Sequence, residues 1–129
     1  MFAELLDKSE KKDFAYLAKK IILADGKIDA EEKKYLDKLV LEVGEIDDTS
    51  NYDDVTDKIS KFENIKKRAI ISELIIIAKC DDNYDDSDVK LLKEITMKIG
   101  VPEAVYNDLN SWTDKYLSIM KEGNSLIEG

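Results

Sequence analysis

The stretch LAKKIILADGKIDAEEKKYLDKLVLEVG, residues 17–44, decides the fold, and ELIIIAKCDDNYDDSDVKLLKEITMKIG, residues 73–100, repeats its pattern. Each stretch contains an apolar helical segment, a short acidic segment and a second segment of helical spacing, and each closes on a glycine. Two aspartates and the final glycine coincide without a gap: Asp25 with Asp81, Asp29 with Asp85, and Gly44 with Gly100. The pattern predicts two related helix–acidic loop–helix units, at about residues 14–44 and 70–100, packed with pseudo-twofold symmetry.

The alternative is that two helical hairpins of similar composition resemble each other through their caps alone. Only six of the 28 aligned pairs are identical. Their placement, at the loop aspartates and the closing glycine, favours a true repeat.

Working outward from these units, apolar spacing predicts helices along most of the chain. A short helix is expected at residues 2–8, and a second at about residues 10–24 with Ser9 as its cap. The third helix begins at Asp29 and ends at Gly44, and the fourth begins at Ser50 or Asn51. The fifth, at about residues 65–79, is apolar on more than one face and is expected at the centre.

Asp85 opens the sixth helix, which stops at Gly100, and Pro102 suits the first turn of a seventh. Ser111 begins or continues a last helix through Met120, followed by a loose tail at residues 123–129. The sequence therefore predicts an all-α fold, a compact bundle of about seven helices in a single domain covering residues 1–129.

Composition limits the function. The chain has 129 residues, 43% of them hydrophobic and 38% charged, with a net charge of −9 and no histidine. This charge argues against nucleic acid and against docking on an anionic membrane, and it favours cations or basic protein surfaces as partners. The single Cys80 gives no internal disulfide, and no signal peptide or segment able to insert into a membrane is apparent. A cytoplasmic protein is expected.

Neither acidic segment is a normal EF-hand loop. Residues 24–32 match the second half of such a loop, but Ile21 and Leu23 stand where the first two ligands belong. In the second segment Asp81, Asn83 and Asp85 have the spacing of the first three ligands. There Asp86 replaces the required glycine and Leu92 the bidentate glutamate. A weak, partly hydrated Ca²⁺ or Mg²⁺ site is compatible with this pattern.

The acidic residues have two interpretations, as metal ligands or as helix caps. Asp29 and Asp85 suit N-caps, with Glu32 and Asp88 completing capping boxes, and each cap is worth about 1 kcal/mol. The remaining pair, Asp25 and Asp81, follows a helix C-terminus, where the helix dipole disfavours an anion. A cation explains this pair if the two loops converge, whereas caps and loop hydrogen bonds suffice if they lie apart. Both interpretations remain open at this stage.

Residues 24–33 read Ala-Asp-Gly-Lys-Ile-Asp-Ala-Glu-Glu-Lys. Together with the helix before them and the Ile-Gly-Val-Pro at residues 99–102, they resemble the tellurite-resistance TerB-like family. The resemblance covers roughly residues 14–117 and departs at Asp82, where the family usually has glycine. It implies a helical bundle that binds divalent metal and takes part in stress response, including membrane-linked protein complexes. By position, the metal ligands it implies are Asp25, Asp29, Glu32, Asp81, Asp85 and Asp88.

Two non-catalytic functions therefore compete. One is a metal-binding or metal-responsive domain; the other is a protein–protein interaction module, with a basic or membrane-associated partner, whose acidic residues only cap helices. An enzyme is not expected, because the sequence has no nucleophile–base pair, no glycine-rich phosphate loop and no histidine.

Overall fold

The computed structural model describes residues 3–24, 30–46, 51–79 and 86–129. All regular structure in these ranges is helical, which confirms the all-α class. A single 3₁₀ turn, Ala3–Leu5, precedes six α-helices: α1 Lys8–Ile22, α2 Ala30–Val43, α3 Tyr52–Ser60, α4 Asn64–Lys79, α5 Asp86–Lys98 and α6 Glu103–Glu128.

The count of about seven helices is corrected to six α-helices in the described ranges, for a reason visible at the N-terminus. The predicted helix at residues 2–8 shortens to the 3₁₀ turn because Asp7 is extended and caps α1. Asp7 Oδ1 accepts a hydrogen bond from the Glu10 amide at 2.8 Å, and Glu10 Oε1 accepts one from the Asp7 amide at 2.9 Å. This reciprocal capping box, rather than Ser9, starts α1.

The C-terminal segment also differs from the prediction. Residues 103–128 form one continuous helix, so Ser111 continues it and the segment at residues 123–128 is helical rather than a loose tail. Gly123 lies within α6 without ending it, because its φ is not in the left-handed region that terminates helices.

Helix α4 is the centre of the bundle, as predicted. It packs against α1, α5, α6 and the N-terminal turn. Residues 69–75 are buried without interruption, nearly two full turns, so neighbours surround the helix on every side. The largest fully buried side chains lie on and around it: Phe14, Leu17, Ile22, Val43, Ile59, Ile70, Ile71, Leu74, Ile75, Leu92, Ile95 and Ile99.

The two predicted units share their local structure. Helices α1 and α2 pack against each other, and so do α4 and α5. An ion pair of 3.8 Å between Lys11 and Glu42 joins the first turn of α1 to the last turn of α2, which makes the first pair antiparallel. Matching glycines follow α2 and α5, with φ of +83° at Gly44 and +82° at Gly100, a left-handed conformation that glycine adopts without steric cost.

Helix α3 is fixed between α1 and α5 by its polar ends. Asn51 caps it, accepting hydrogen bonds from the amides of Asp53 and Asp54, which confirms Asn51 over Ser50 as the opening residue. At this end Asp53 forms a 2.9 Å ion pair with Lys98 of α5. At the other end Lys58 lies 3.4 Å from Asp13 of α1.

Candidate functional site

The six acidic residues predicted as ligands follow or begin helices in the two units, and the structure describes two of them. Asp25, Asp29, Asp81 and Asp85 lie outside the described residues. Glu32 is the third residue of α2 and Asp88 the third residue of α5, so the two occupy equivalent positions.

The two described carboxylates differ in burial. Asp88 is only 6% exposed and Glu32 is half-buried, and each interacts with other groups of the chain. A carboxylate in the first turn lies near the partial positive charge of the helix N-terminus, which offsets some of the cost of burying it. Within the described ranges, no three Asp, Glu or Cys side chains are grouped closely enough to hold a metal ion.

The last turn of α1 is linked to α5 through Tyr52 of α3. Lys20, in the last turn of α1, lies over the ring of Tyr52, with its Nζ 4.5 Å from the ring centre. The same Tyr52 donates a 3.2 Å hydrogen bond to Glu94 of α5, and Lys98 lies 5.2 Å from its ring centre. The last turn of α1 is therefore joined through Tyr52 to Glu94 and Lys98 in the second half of α5. Asp86, the first residue of α5, precedes Glu94 by eight residues and Lys98 by twelve.

Burial raises the pKa of the Tyr52 hydroxyl, and the neighbouring Glu94 carboxylate raises it further. This tyrosine consequently stays protonated as a hydrogen-bond donor. The hydrogen bond from Lys98 to Asp53, in turn, raises the pKa of the Lys98 ammonium. The cluster links α1, α3 and α5, and its Tyr52 hydroxyl and Lys98 ammonium keep their protons across the physiological pH range.

The last residue before the second acidic segment is anchored to α6. Lys79 is 9% exposed in its side chain, and its Nζ donates to the Asn110 carbonyl at 3.1 Å, the Thr113 hydroxyl at 3.2 Å and the Asp114 carboxylate at 2.6 Å. Since three acceptors satisfy the ammonium, the end of α4 has a defined position. Sequence reasoning missed this anchor because its partners are more than 30 residues away.

A buried carboxyl that the sequence analysis did not single out is Asp13, on α1. It is 9% exposed, and its Oδ2 has an ion pair with Lys58 but no aligned hydrogen bond. Burial raises the pKa of the Asp13 carboxyl, and the Lys58 ammonium opposes that effect only in part. The signal was available in the sequence, because Asp13 precedes Leu17 by one helical turn on the apolar face of α1.

Asp13 lines a small polar cavity of about 230 Å³, bounded by Ser9, Lys12, Tyr16, Val43, Glu45, Ile46, Val55 and Lys58. A larger, mainly apolar groove of about 730 Å³ runs between α5 and the start of α6, and Met97, Val101, Pro102 and Tyr106 line it with Lys90 and Lys93. Neither is lined by Glu32 or Asp88, the two predicted ligands that the structure describes.

Comparisons with known proteins identify no relative of this chain. No protein-family model matches the chain, and neither a curated protein nor a solved structure shows significant similarity. Within the described ranges, no helix combines the length and the apolarity needed to cross a membrane. The class of the protein is thus given by its helices, as an all-α domain.

Proposed function

We propose that this protein is a non-catalytic helical domain that binds a divalent cation, Ca²⁺ or Mg²⁺, through its acidic loops. The supporting observation is the buried Asp88 in the first turn of α5, with Glu32 half-buried at the same position of α2. Carboxylate oxygens are the ligands that Ca²⁺ and Mg²⁺ take, and the repeat places one carboxylate in the first turn of each second helix. The TerB-like pattern of residues 24–33 extends the proposal to a role in a tellurite-resistance-like stress response.

The proposal includes a pseudo-twofold relation between the two units. Equivalent positions of the units are buried together, and both second helices end on a glycine of positive φ. Buried equivalent pairs include Ala18 with Leu74, Ile21 with Ile77, Leu39 with Ile95 and Val43 with Ile99. A duplicated unit explains why the same positions face the core twice.

In this proposal the two loops bind cations independently rather than sharing one. Each loop then offers three carboxylates of its own, Asp25, Asp29 and Glu32 in the first and Asp81, Asp85 and Asp88 in the second. Three carboxylates supply fewer ligands than the six to eight oxygens that Ca²⁺ takes, so water completes the shell and the affinity is low.

The test is the melting temperature of the full chain in Ca²⁺ or Mg²⁺ up to about 10 mM, where weak sites fill, with ionic strength matched by NaCl. The expected result is a rise of a few degrees in the wild type, because a ligand that binds only the folded state stabilises it. The rise should be smaller in Asp25→Asn and in Asp81→Asn. Asp57→Asn, which removes an exposed carboxylate of α3, is the matched control and should respond like the wild type. Identical curves with and without cation would refute the proposal.

The second candidate is a protein–protein interaction module whose acidic residues only cap helices. The capping box of Asp7 and Glu10, which has the composition expected of Asp29 and Glu32, favours it. It predicts that Asp29→Ala lowers the free energy of unfolding by about 1 kcal/mol, with the same loss in EDTA and in Mg²⁺. A loss that appears only in the presence of the cation would favour metal binding instead.

A further inference from the structure

The second half of α6 has an apolar face that the rest of the described chain does not cover. Ile119, Leu126 and Ile127 are 66%, 78% and 86% exposed, and Met120 is 46% exposed. Earlier in the same helix Tyr106 and Thr113 are buried against the bundle. Single exposed apolar residues are ordinary, but four on one short helical segment form a patch of the kind that marks an interaction surface.

The apolar face has the spacing of a coiled-coil seam. From the buried start of the helix the seam continues in alternating steps of three and four residues through its exposed half: Tyr106, Leu109, Thr113, Tyr116, Met120, Gly123 and Ile127. Ile119 and Leu126 flank it, again seven residues apart. A seam sustained with this period is the pattern that pairs one helix with another.

Gly123 is the position in the seam that the fold itself does not explain. It lies in the interior of α6, where glycine costs about 1 kcal/mol relative to alanine. A Cβ added there would meet no atom of the described residues within 4 Å, and the φ of Gly123 is not positive. Neither packing within the described part of the chain nor backbone conformation therefore requires glycine, whereas a second helix in close approach would.

Charge on this segment permits contact between two copies. The chain has a net charge of −9, but residues 115–128 carry Lys115 and Lys121 against Glu122 and Glu128, two positive and two negative. Two copies that meet here avoid the repulsion that separates the rest of their surfaces.

We infer that this protein forms a twofold-symmetric dimer through antiparallel pairing of the second halves of α6. In an antiparallel register whose twofold axis passes between Met120 and Gly123, Met120 of each copy fills the space above Gly123 of the other. Tyr116 of each copy then packs against Ile127 of the other. The antiparallel arrangement also places the two acidic bundles at opposite ends of the paired helices. The exposed apolar side chains present on the order of 600 Å² per copy, somewhat below the roughly 800 Å² per partner of a standard interface, which is the size class of transient association.

Sedimentation of the full chain from about 1 µM to about 1 mM, the range in which such an interface associates, tests the inference. The runs are made in EDTA, so that the outcome does not depend on the cation proposal. The expected result for the wild type is a monomer–dimer equilibrium. Ile119→Lys should weaken it by at least about tenfold, and Ser118→Lys, the same change one residue away on the exposed outer side of α6, should leave it intact.

Gly123→Ala separates dimerisation from folding. Alanine favours the helix, so helix content by circular dichroism should be unchanged or higher, while the added methyl group occupies the space of the partner's Met120 and weakens the dimer. A wild type that stays monomeric at every concentration would overturn the inference. So would a dimer unaffected by Ile119→Lys, or a monomeric wild type that binds anionic phospholipid vesicles through Ile119, which would assign the face to a membrane.

Discussion

At the scale of single residues, the buried charges of this protein differ in how they are compensated. Lys79 donates to three acceptors and is fully satisfied. Asp13 is equally inaccessible but has one ion pair, with Lys58, at 3.4 Å. Because its environment favours the neutral acid, ionisation of Asp13 at neutral pH lowers the stability of the folded state.

The pH dependence of stability should reveal Asp13. A carboxyl whose pKa is raised on folding contributes stability that is fully present below the unfolded pKa, near 3.8, and that is lost as pH rises through the higher folded pKa. Asn has the shape of the protonated acid and does not ionise. We therefore expect Asp13→Asn to gain stability relative to the wild type between pH 3.5 and pH 7, as measured by urea unfolding.

The control for this prediction is Asp57→Asn, which removes an exposed carboxylate with a surface ion pair. Its difference from the wild type should change little over the same pH range. An Asp13→Asn variant that loses stability relative to the wild type as pH rises would show that the Lys58 ion pair outweighs the cost of burial.

At the scale of elements, starts and stops are set by a few residues with local chemistry. Asp7 and Asn51 satisfy first-turn amides of α1 and α3, and Gly44 and Gly100 end the helices of the two units. These signals act within four residues in the chain, so the sequence predicted most helix ends closely. The N-terminal helix and the end of α6 were the exceptions. At the N-terminus an alternative cap, Asp7, replaces Ser9 by forming a complete capping box, and at the C-terminus α6 continues through Gly123 to Glu128.

Alanine at either stop glycine should cost about 1–2 kcal/mol in the free energy of unfolding, the penalty of left-handed backbone for a residue with a Cβ. At Gly44 this backbone penalty is the only expected effect, since an added Cβ meets no atom of the described residues within 4 Å. At Gly100 the nearest neighbour of an added Cβ is Lys67 Nζ, at an ordinary contact distance of 3.6 Å. Glu45→Ala, at an adjacent exposed position, should stay within about 0.5 kcal/mol. Denaturant unfolding measures all three, and equal values for Gly44→Ala and Glu45→Ala would contradict the prediction.

At the scale of the whole molecule, stability depends on α4, which contacts most of the other elements. The burial of residues 69–75 means that loosening this helix loosens α1, α5 and α6 together. A bundle built around one central helix is expected to unfold in a single cooperative transition.

Truncating the centre should therefore affect the entire fold. Leu74→Ala, at a fully buried position of α4, should lower the free energy of unfolding by about 2–5 kcal/mol through lost packing and the remaining cavity. Leu41→Ala removes the same atoms from a position 88% exposed on α2 and should change it by less than about 0.5 kcal/mol. Chemical denaturation followed by circular dichroism and by Trp112 fluorescence should give coincident transitions. A separate early transition in Leu74→Ala would show that α4 does not couple the bundle.

By itself the sequence determined the all-α class, the central place of residues 65–79, the stops at Gly44 and Gly100, and the acidic pattern of the two units. Periodicity, caps and left-handed glycines depend on neighbours within one or two turns, and such interactions are visible in a linear sequence. The tertiary structure alone decided that Asp88 is buried, that Tyr52 joins α1, α3 and α5, and that Lys79 docks on α6. It also showed which half of α6 stays uncovered. The contacts of Tyr52 and Lys79 join residues more than 30 positions apart, which no local pattern encodes.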